Sequence, residues 1–152
     1  MYQQTATAAG VTLLRASLGI MYLAHSILLK VITYGLAGTA GYFVSIGLPR
    51  WLAYATVAAE AIGGLAILLG IKARWFALAL APIPLGAIFT AHASSGWLFS
   101  APGGGWEYPA YLVVLSIAQF LLGDGAWAVS PSAPLQLNSS GGSRRRQAPG
   151  LA

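Results

Sequence analysis

The chain has 152 residues, 57% of them hydrophobic and only 7% charged, with a formal net charge of +5 and no cysteine. That balance excludes an ordinary water-soluble domain, and the lack of cysteine excludes disulfides, thiol relays, iron–sulfur clusters and thiolate-held haem or zinc. The positive charge does not signal nucleic acid. Three of the eight cations are Arg144–Arg146, and Lys72 and Arg74 sit in a short break between apolar stretches, where topology-setting charges belong.

Four apolar stretches are each long enough to cross a bilayer as a helix: Val11–Thr33, Trp51–Ile71, Trp75–His92 and Trp106–Leu122. A span needs about 17–25 residues to cover roughly 30 Å of hydrocarbon. The pattern predicts an all-α integral membrane protein, a four-helix bundle occupying 11–129. A cytoplasmic segment, 1–10, precedes it, and a disordered cytoplasmic tail, 130–152, follows. The first stretch is a permanent span, not a cleavable signal, because 1–10 carries no charged side chain to form a basic n-region. Arg15, Lys72, Arg74 and Arg144–Arg146 fall on one side of the predicted topology, and Lys30 and Arg50 on the other. The excess places both termini in the cytoplasm of a multi-pass protein of the bacterial inner membrane.

In span one, Thr12, Arg15, Gly19, Tyr22, Ser26, Lys30 and Thr33 share one stripe at α-helical pitch, with His25 at its edge. Lipid would not tolerate that stripe, so it faces the interior; Arg15 is expected to snorkel to the cytoplasmic interface. Beyond Tyr34, Thr39–Ile46 reads as a short interfacial helix with Tyr42 and Phe43 in the headgroup layer, ended by Gly47-Leu48-Pro49. Span two places Ala53, Thr56, Glu60, Gly63, Gly64 and Ile67 on one face, so Glu60 sits in a seam between closely approaching helices. Span three contains Pro82 and Pro84, which predict a kink whose freed carbonyls, at Leu78 and Leu80, find partners in the bundle. Tyr22–Ser26 is echoed weakly by Phe89–Ala93, each stretch carrying a histidine near the end of its span.

On this topology His25, Lys30, His92 and Glu107 lie in the outer half, with Glu60 near mid-depth, and a polar pocket opening outward gathers them. His25, Glu60 and His92 are the candidate catalytic groups; Tyr22, Ser26, Lys30 and Glu107 are candidate contacts to a quinone or substrate. No metal is expected, since two histidines and a carboxylate are a minimal ligand set. Haem is disfavoured because four short helices leave it little room. No phosphate loop, dinucleotide fingerprint or Ser–His–Asp set is present.

The order of these groups resembles the DoxX family of small membrane proteins. The resemblance runs through His25 and Lys30, Gly38-Thr39-Ala40-Gly41-Tyr42-Phe43, Gly47-Leu48-Pro49 and Ala59-Glu60-Ala61-Ile62-Gly63-Gly64. It continues through Thr90-Ala91-His92, Ser95-Gly96-Trp97-Leu98-Phe99 and Gly104-Gly105-Trp106-Glu107-Tyr108-Pro109. It covers roughly Val11 to Ser130 and implies four membrane helices and an oxidoreductase role, some relatives being subunits of thiosulfate:quinone oxidoreductases. One departure matters. The family pattern has Gly after the histidine and Lys four residues beyond it, whereas here Ser26 follows and Lys30 is five residues on, about 140° round an α-helix. A same-face His25–Lys30 pair is therefore not expected.

The leading functional expectation is a subunit of a quinone-linked redox system, acting on sulfur compounds or with a membrane or peripheral redox enzyme. Quinone reduction needs hydrogen bonds to two carbonyl oxygens and a proton route, which His25, Glu60, Lys30 and Tyr22 can supply. The alternative is a non-catalytic scaffold for redox or stress-response enzymes, and a small transporter working as a homo-oligomer is third.

Overall fold

The computed structural model describes residues 2–135, all of whose regular elements are helical. Helix α1 (Tyr2–Leu23) winds without interruption into a π-helical segment, Ala24–Thr33. Helix α2 (Gly35–Ser45) and helix α3 (Arg50–Leu69) follow. Next come α4 (Ala73–Leu80), α5 (Pro82–Ala87) and a second π-helical segment, Ile88–His92, closed by a 3-10 turn over Ala93–Ser95. Helix α6 spans Glu107–Leu122. Three helical runs, Thr5–Thr33, Arg50–Leu69 and Ala73–Ser95, are long and apolar enough to cross a membrane. The chain is an all-α membrane protein. Helix α6 is equally apolar but has 16 residues.

Local chemistry sets the boundaries. Gly70, with φ +73°, closes α3 in a Schellman motif: its N–H donates to Ile67 O at 3.1 Å and that of Ile71 donates to Ala66 O at 2.8 Å. The prolines of the third run break it at Ala81, whose N–H donates to both Ala77 O and Leu78 O. The Leu78 carbonyl is thus satisfied inside its own helix, not by a neighbouring one. The interfacial helix starts earlier than expected, at Gly35, and does not lie free at the surface. Its Thr39 and Ala40 are buried, and it packs against α3 and the π-helical end of the first run.

The helices close a ring, α1 on α3, α3 on α4, α4 on α6 and α6 on α1, around Leu18, Tyr22, Ile67, Ala77, Leu80 and Leu112. The tightest crossing is α1 on α3. A Cβ on Gly19 would lie 2.7 Å from Leu68 N and 2.9 Å from Gly64 O, so backbone meets backbone there. All six residues expected on the buried face of span two are buried.

At one end of the ring the sequence reading needs correction. Helix α1 already begins at Tyr2, inside the segment set apart as 1–10. Arg15 does not snorkel. It is 4% exposed, and its guanidinium donates to the carbonyls of Asp124, Ala126 and Trp127. The start of the expected disordered tail is ordered: Ser130 pairs with Ile71, Lys72 N–H donates to Ser130 O at 2.8 Å, and Arg74 Nη1 donates to Ala133 O at 3.0 Å. Asp124, buried and overlooked in the sequence, anchors this clasp by accepting the Arg74 N–H at 2.8 Å and the Ser132 N–H. Its carboxylate caps the start of α4 from a distance in sequence. The rest of the expected tail, 136–152, lies outside the described residues.

Two substitutions check this packing by thermal unfolding in detergent. Gly19→Ala forces the α1–α3 backbones apart and lowers stability by about 1–3 kcal/mol, whereas Gly10→Ala, with open space at its Cβ, leaves it unchanged or higher. Asp124→Ala removes the acceptor at the start of α4 and destabilises by about 1–2 kcal/mol.

Candidate functional site

A charged group in the middle of a bilayer costs about 2.5–3.5 kcal/mol on insertion scales, so a buried Lys or Glu needs a partner. Lys30, from the first π-helical segment, and Glu60, from the buried face of α3, form a direct ion pair. The glutamate side chain is 4% exposed and the lysine 17%. The pair stands in the wall of a cavity of about 980 Å³. Leu29, Leu52, Ile83 and Leu112 supply apolar lining, α2 contributes Tyr42 and Phe43, and the polar lining includes Tyr22, His25, Lys30, Glu60, His92 and Tyr108.

The π-helical winding explains how His25 and Lys30 both reach this cavity. In a π-helix the bonded pairs are i and i+5, so a residue and its fifth neighbour lie one above the other. The Tyr34 N–H donates to Leu29 O at 3.0 Å in that register. Five residues, which at α-helical pitch would part the two side chains, here bring them to one face. The expectation drawn from α-helical geometry is overturned. The same winding carries Thr33, expected on the interior stripe, out to an exposed position. Two hydroxyls hold the segment: Ser26 Oγ donates to Val57 O at 2.7 Å and Thr39 Oγ1 donates to Lys30 O at 2.8 Å.

His25 stacks on Tyr108, with ring centroids 5.5 Å apart and planes inclined by 17°. Its Nδ1 lies 3.0 Å from Met21 O. A carbonyl only accepts, so Nδ1 carries the hydrogen and Nε2 is the acceptor of the neutral ring. His92 repeats this arrangement, donating from Nδ1 to Gly104 O at 2.8 Å. Both histidines lie in π-helical segments, which gives the sequence echo between Tyr22–Ser26 and Phe89–Ala93 a structural counterpart. Tyr22 OH bonds Ser116 Oγ at 2.9 Å. The Tyr108 hydroxyl is buried and has no hydrogen-bond partner among the described residues.

Five of the seven candidate residues, Tyr22, His25, Lys30, Glu60 and His92, therefore line one cavity. The other two do not. Ser26 is fully buried between the first π-helical segment and α3 and spends its hydroxyl on Val57 O. Glu107 accepts the Phe99 N–H at 2.8 Å and fastens the loop that carries Phe99 and Gly103–Gly105 over the cavity. Tyr108 was missed as a site residue. The available signal was the spacing of Tyr108, Leu112, Ser116 and Gln119 along one face of the last span. Among the described residues no three His, Cys, Asp or Glu side chains gather as a metal centre would require.

A family model, DoxX, matches residues 10–93. The chain is 34% identical over 122 residues to "Putative oxidoreductase CatD" of Bacillus subtilis (strain 168), an alignment covering 80% of this chain and 85% of that relative. No solved structure gives a significant match.

The ion pair makes a double-mutant prediction. Lys30→Met and Glu60→Gln each leave one polar partner stranded and destabilise the protein. The double variant is less destabilised than the sum of the two, with a coupling of about 1–3 kcal/mol in thermal unfolding. Additive effects would mean that the two side chains do not act as a pair.

Proposed function

The chain belongs to the DoxX family of membrane proteins, and on that premise we propose that it crosses the bacterial inner membrane four times and binds a quinone in its cavity, as part of a redox system. Helix α6, at about 1.5 Å per residue, is some 24 Å long, and Trp106 at its start suits the interface. Arg15, Lys72, Arg74 and the chain leaving α6 meet at one end of the ring, which supports both termini lying on the more basic, cytoplasmic side.

The observation that carries the reading is the cavity: a largely apolar space bounded by several helices, with its few polar groups turned inward. A quinone ring is flat and apolar apart from two opposed carbonyl oxygens that accept hydrogen bonds. Lys30 Nζ and the unengaged Tyr108 hydroxyl are donors for such oxygens, and the His25–Tyr108 stack offers an aromatic surface beside them. Reduction to quinol consumes two electrons and two protons. The electrons come from a reduced sulfur compound or a partner redox enzyme. Lys30 and Glu60, already sharing a hydrogen bond, are placed to pass a proton toward a reduced oxygen, and His25 Nε2 can accept one on reoxidation. Support for the redox role comes from the similarity to the relative named "Putative oxidoreductase CatD".

Binding is measured by titrating purified protein with a short-chain quinone and following tryptophan fluorescence, since Trp106 opens the helix that carries Tyr108. Saturable quenching is expected. Tyr108→Phe weakens it about 3- to 10-fold, the loss of one hydrogen bond, and the exposed Val114→Ala leaves it unchanged. No saturable quenching in the wild type would remove the quinone site and favour the non-catalytic scaffold.

A further inference from the structure

Beyond the cavity, helix α6 carries two polar side chains that the quinone site does not use. Ser116 and Gln119 are both 0% exposed, in a helix otherwise made of apolar residues after Tyr111. Leucine at either position would suit such a helix better, and polar groups buried within membrane spans mark proton relays among other functions. We propose that Tyr22, Ser116 and Gln119 form a proton path joining the cavity to the Arg15–Arg74–Asp124 end of the molecule.

The geometry runs in order. Tyr22 lines the cavity together with Glu60, and its hydroxyl bonds Ser116 Oγ at 2.9 Å. Gln119 lies three residues further along the same face, about 4.5 Å of helical rise from Ser116. Its Nε2 donates to Gly123 O at 2.6 Å, while Oε1 is buried and has no hydrogen-bond partner among the described residues. A purely structural helix cap would account for Nε2 but would leave Oε1 stranded. A water held between Ser116 Oγ and Gln119 Oε1 satisfies both and completes the file.

Past Gln119 the file reaches the clasp. The Arg74 guanidinium is packed against Gly123, where an added Cβ would lie 2.6 Å from Nη2, and the Arg74 N–H donates to Asp124 Oδ1. The charged groups facing this end are Arg15 from α1, Lys72 just before α4, Arg74 from α4 and the Asp124 carboxylate, one anion among three cations. Those facing the other end are Glu60, Lys30, His25 and His92, with the hydroxyl of Tyr108. A proton entering beside Asp124 moves by successive exchange of O–H bonds. The incoming proton adds to the bridging water, which protonates Ser116 Oγ as Ser116 passes its own proton to Tyr22, and Tyr22 releases one to the Glu60 carboxylate. Each relay oxygen gains one proton and loses one, and Gln119 Oε1 only holds the water in place. If the cavity is a quinone site, each quinone reduced there takes up two electrons from a reduced sulfur compound or a partner enzyme and two protons along this file.

The test does not depend on that chemistry. The full chain is reconstituted into phosphatidylethanolamine–phosphatidylglycerol vesicles loaded with a pH-sensitive dye, and a potassium diffusion potential drives protons. Wild-type protein should conduct above protein-free vesicles. Ser116→Ala and Gln119→Leu should each reduce the flux at least fivefold, and Gln119→Glu should retain it. Quinone titration of Gln119→Leu should match wild type. Wild-type flux no greater than in protein-free vesicles, or equal flux in Ser116→Ala, Gln119→Leu and wild type, overturns the path. Should Gln119→Leu not be monodisperse in detergent, Ser116→Ala decides. Flux that follows this pattern in a protein that binds no quinone keeps the path and removes the quinone reading; quinone binding without flux does the reverse.

Discussion

Lys30 and Glu60 carry opposite charges into a region where lipid and apolar side chains solvate neither, and their direct contact is the condition under which either can stay. Much of the rest of the architecture serves that contact. The π-helical winding of Ala24–Thr33 brings Lys30 to the same face as His25, Thr39 fixes the Lys30 carbonyl from α2, and the small residues of α3 let the helix bearing Glu60 come close to the first run. Where the pair stands, the helices are held apart around a cavity. A local electrostatic demand coincides with an open space.

The opposite end meets the same demand differently. Arg15 and Arg74, each about as buried as Glu60, turn their guanidinium groups to backbone carbonyls of chain that has already left α6, while the Asp124 carboxylate accepts the Arg74 backbone N–H. The Arg15 guanidinium donates to three carbonyls and that of Arg74 to one, and the segment is ordered in return. Between the two ends the Gly19–Gly64 crossing sets how tightly the first and third helices approach. The molecule therefore has a tight, hydrogen-bonded end and an open, cavity-bearing end. Ser116 and Gln119 lie between them.

The membrane-spanning character was legible because it follows from composition and run length alone. The burial of Glu60 was also legible, since Ala53, Thr56, Gly63, Gly64 and Ile67 share its face at simple α-helical spacing. What could not be read came from departures from that spacing. A π-helical segment changes which residues face each other, so a shared face for His25 and Lys30 was not expected and Thr33 was placed on the inside. The Arg15 clasp was hidden for another reason: its acceptors are carbonyl oxygens, and sequence does not say where carbonyls point. Ser26 and Glu107 looked like cavity residues because one lies on the polar stripe of span one and the other is a carboxylate in the outer half, yet each serves a backbone group instead. Tyr108 carried the opposite lesson, for it shares a helical face with Ser116 and Gln119 and was visible in principle.

Tyr22, His25, Lys30, Glu60, His92 and Tyr108 thus turn inward around one space, and the most direct test of its proposed role is to ask where a quinone touches it. A photoreactive quinone analogue bound to the protein in vesicles and mapped by mass spectrometry should label Tyr22, His25, Tyr108 or Leu112, in competition with unmodified quinone. Labelling confined to lipid-facing side chains such as Phe89, Val114 and Leu121, unaffected by competitor, would contradict the account.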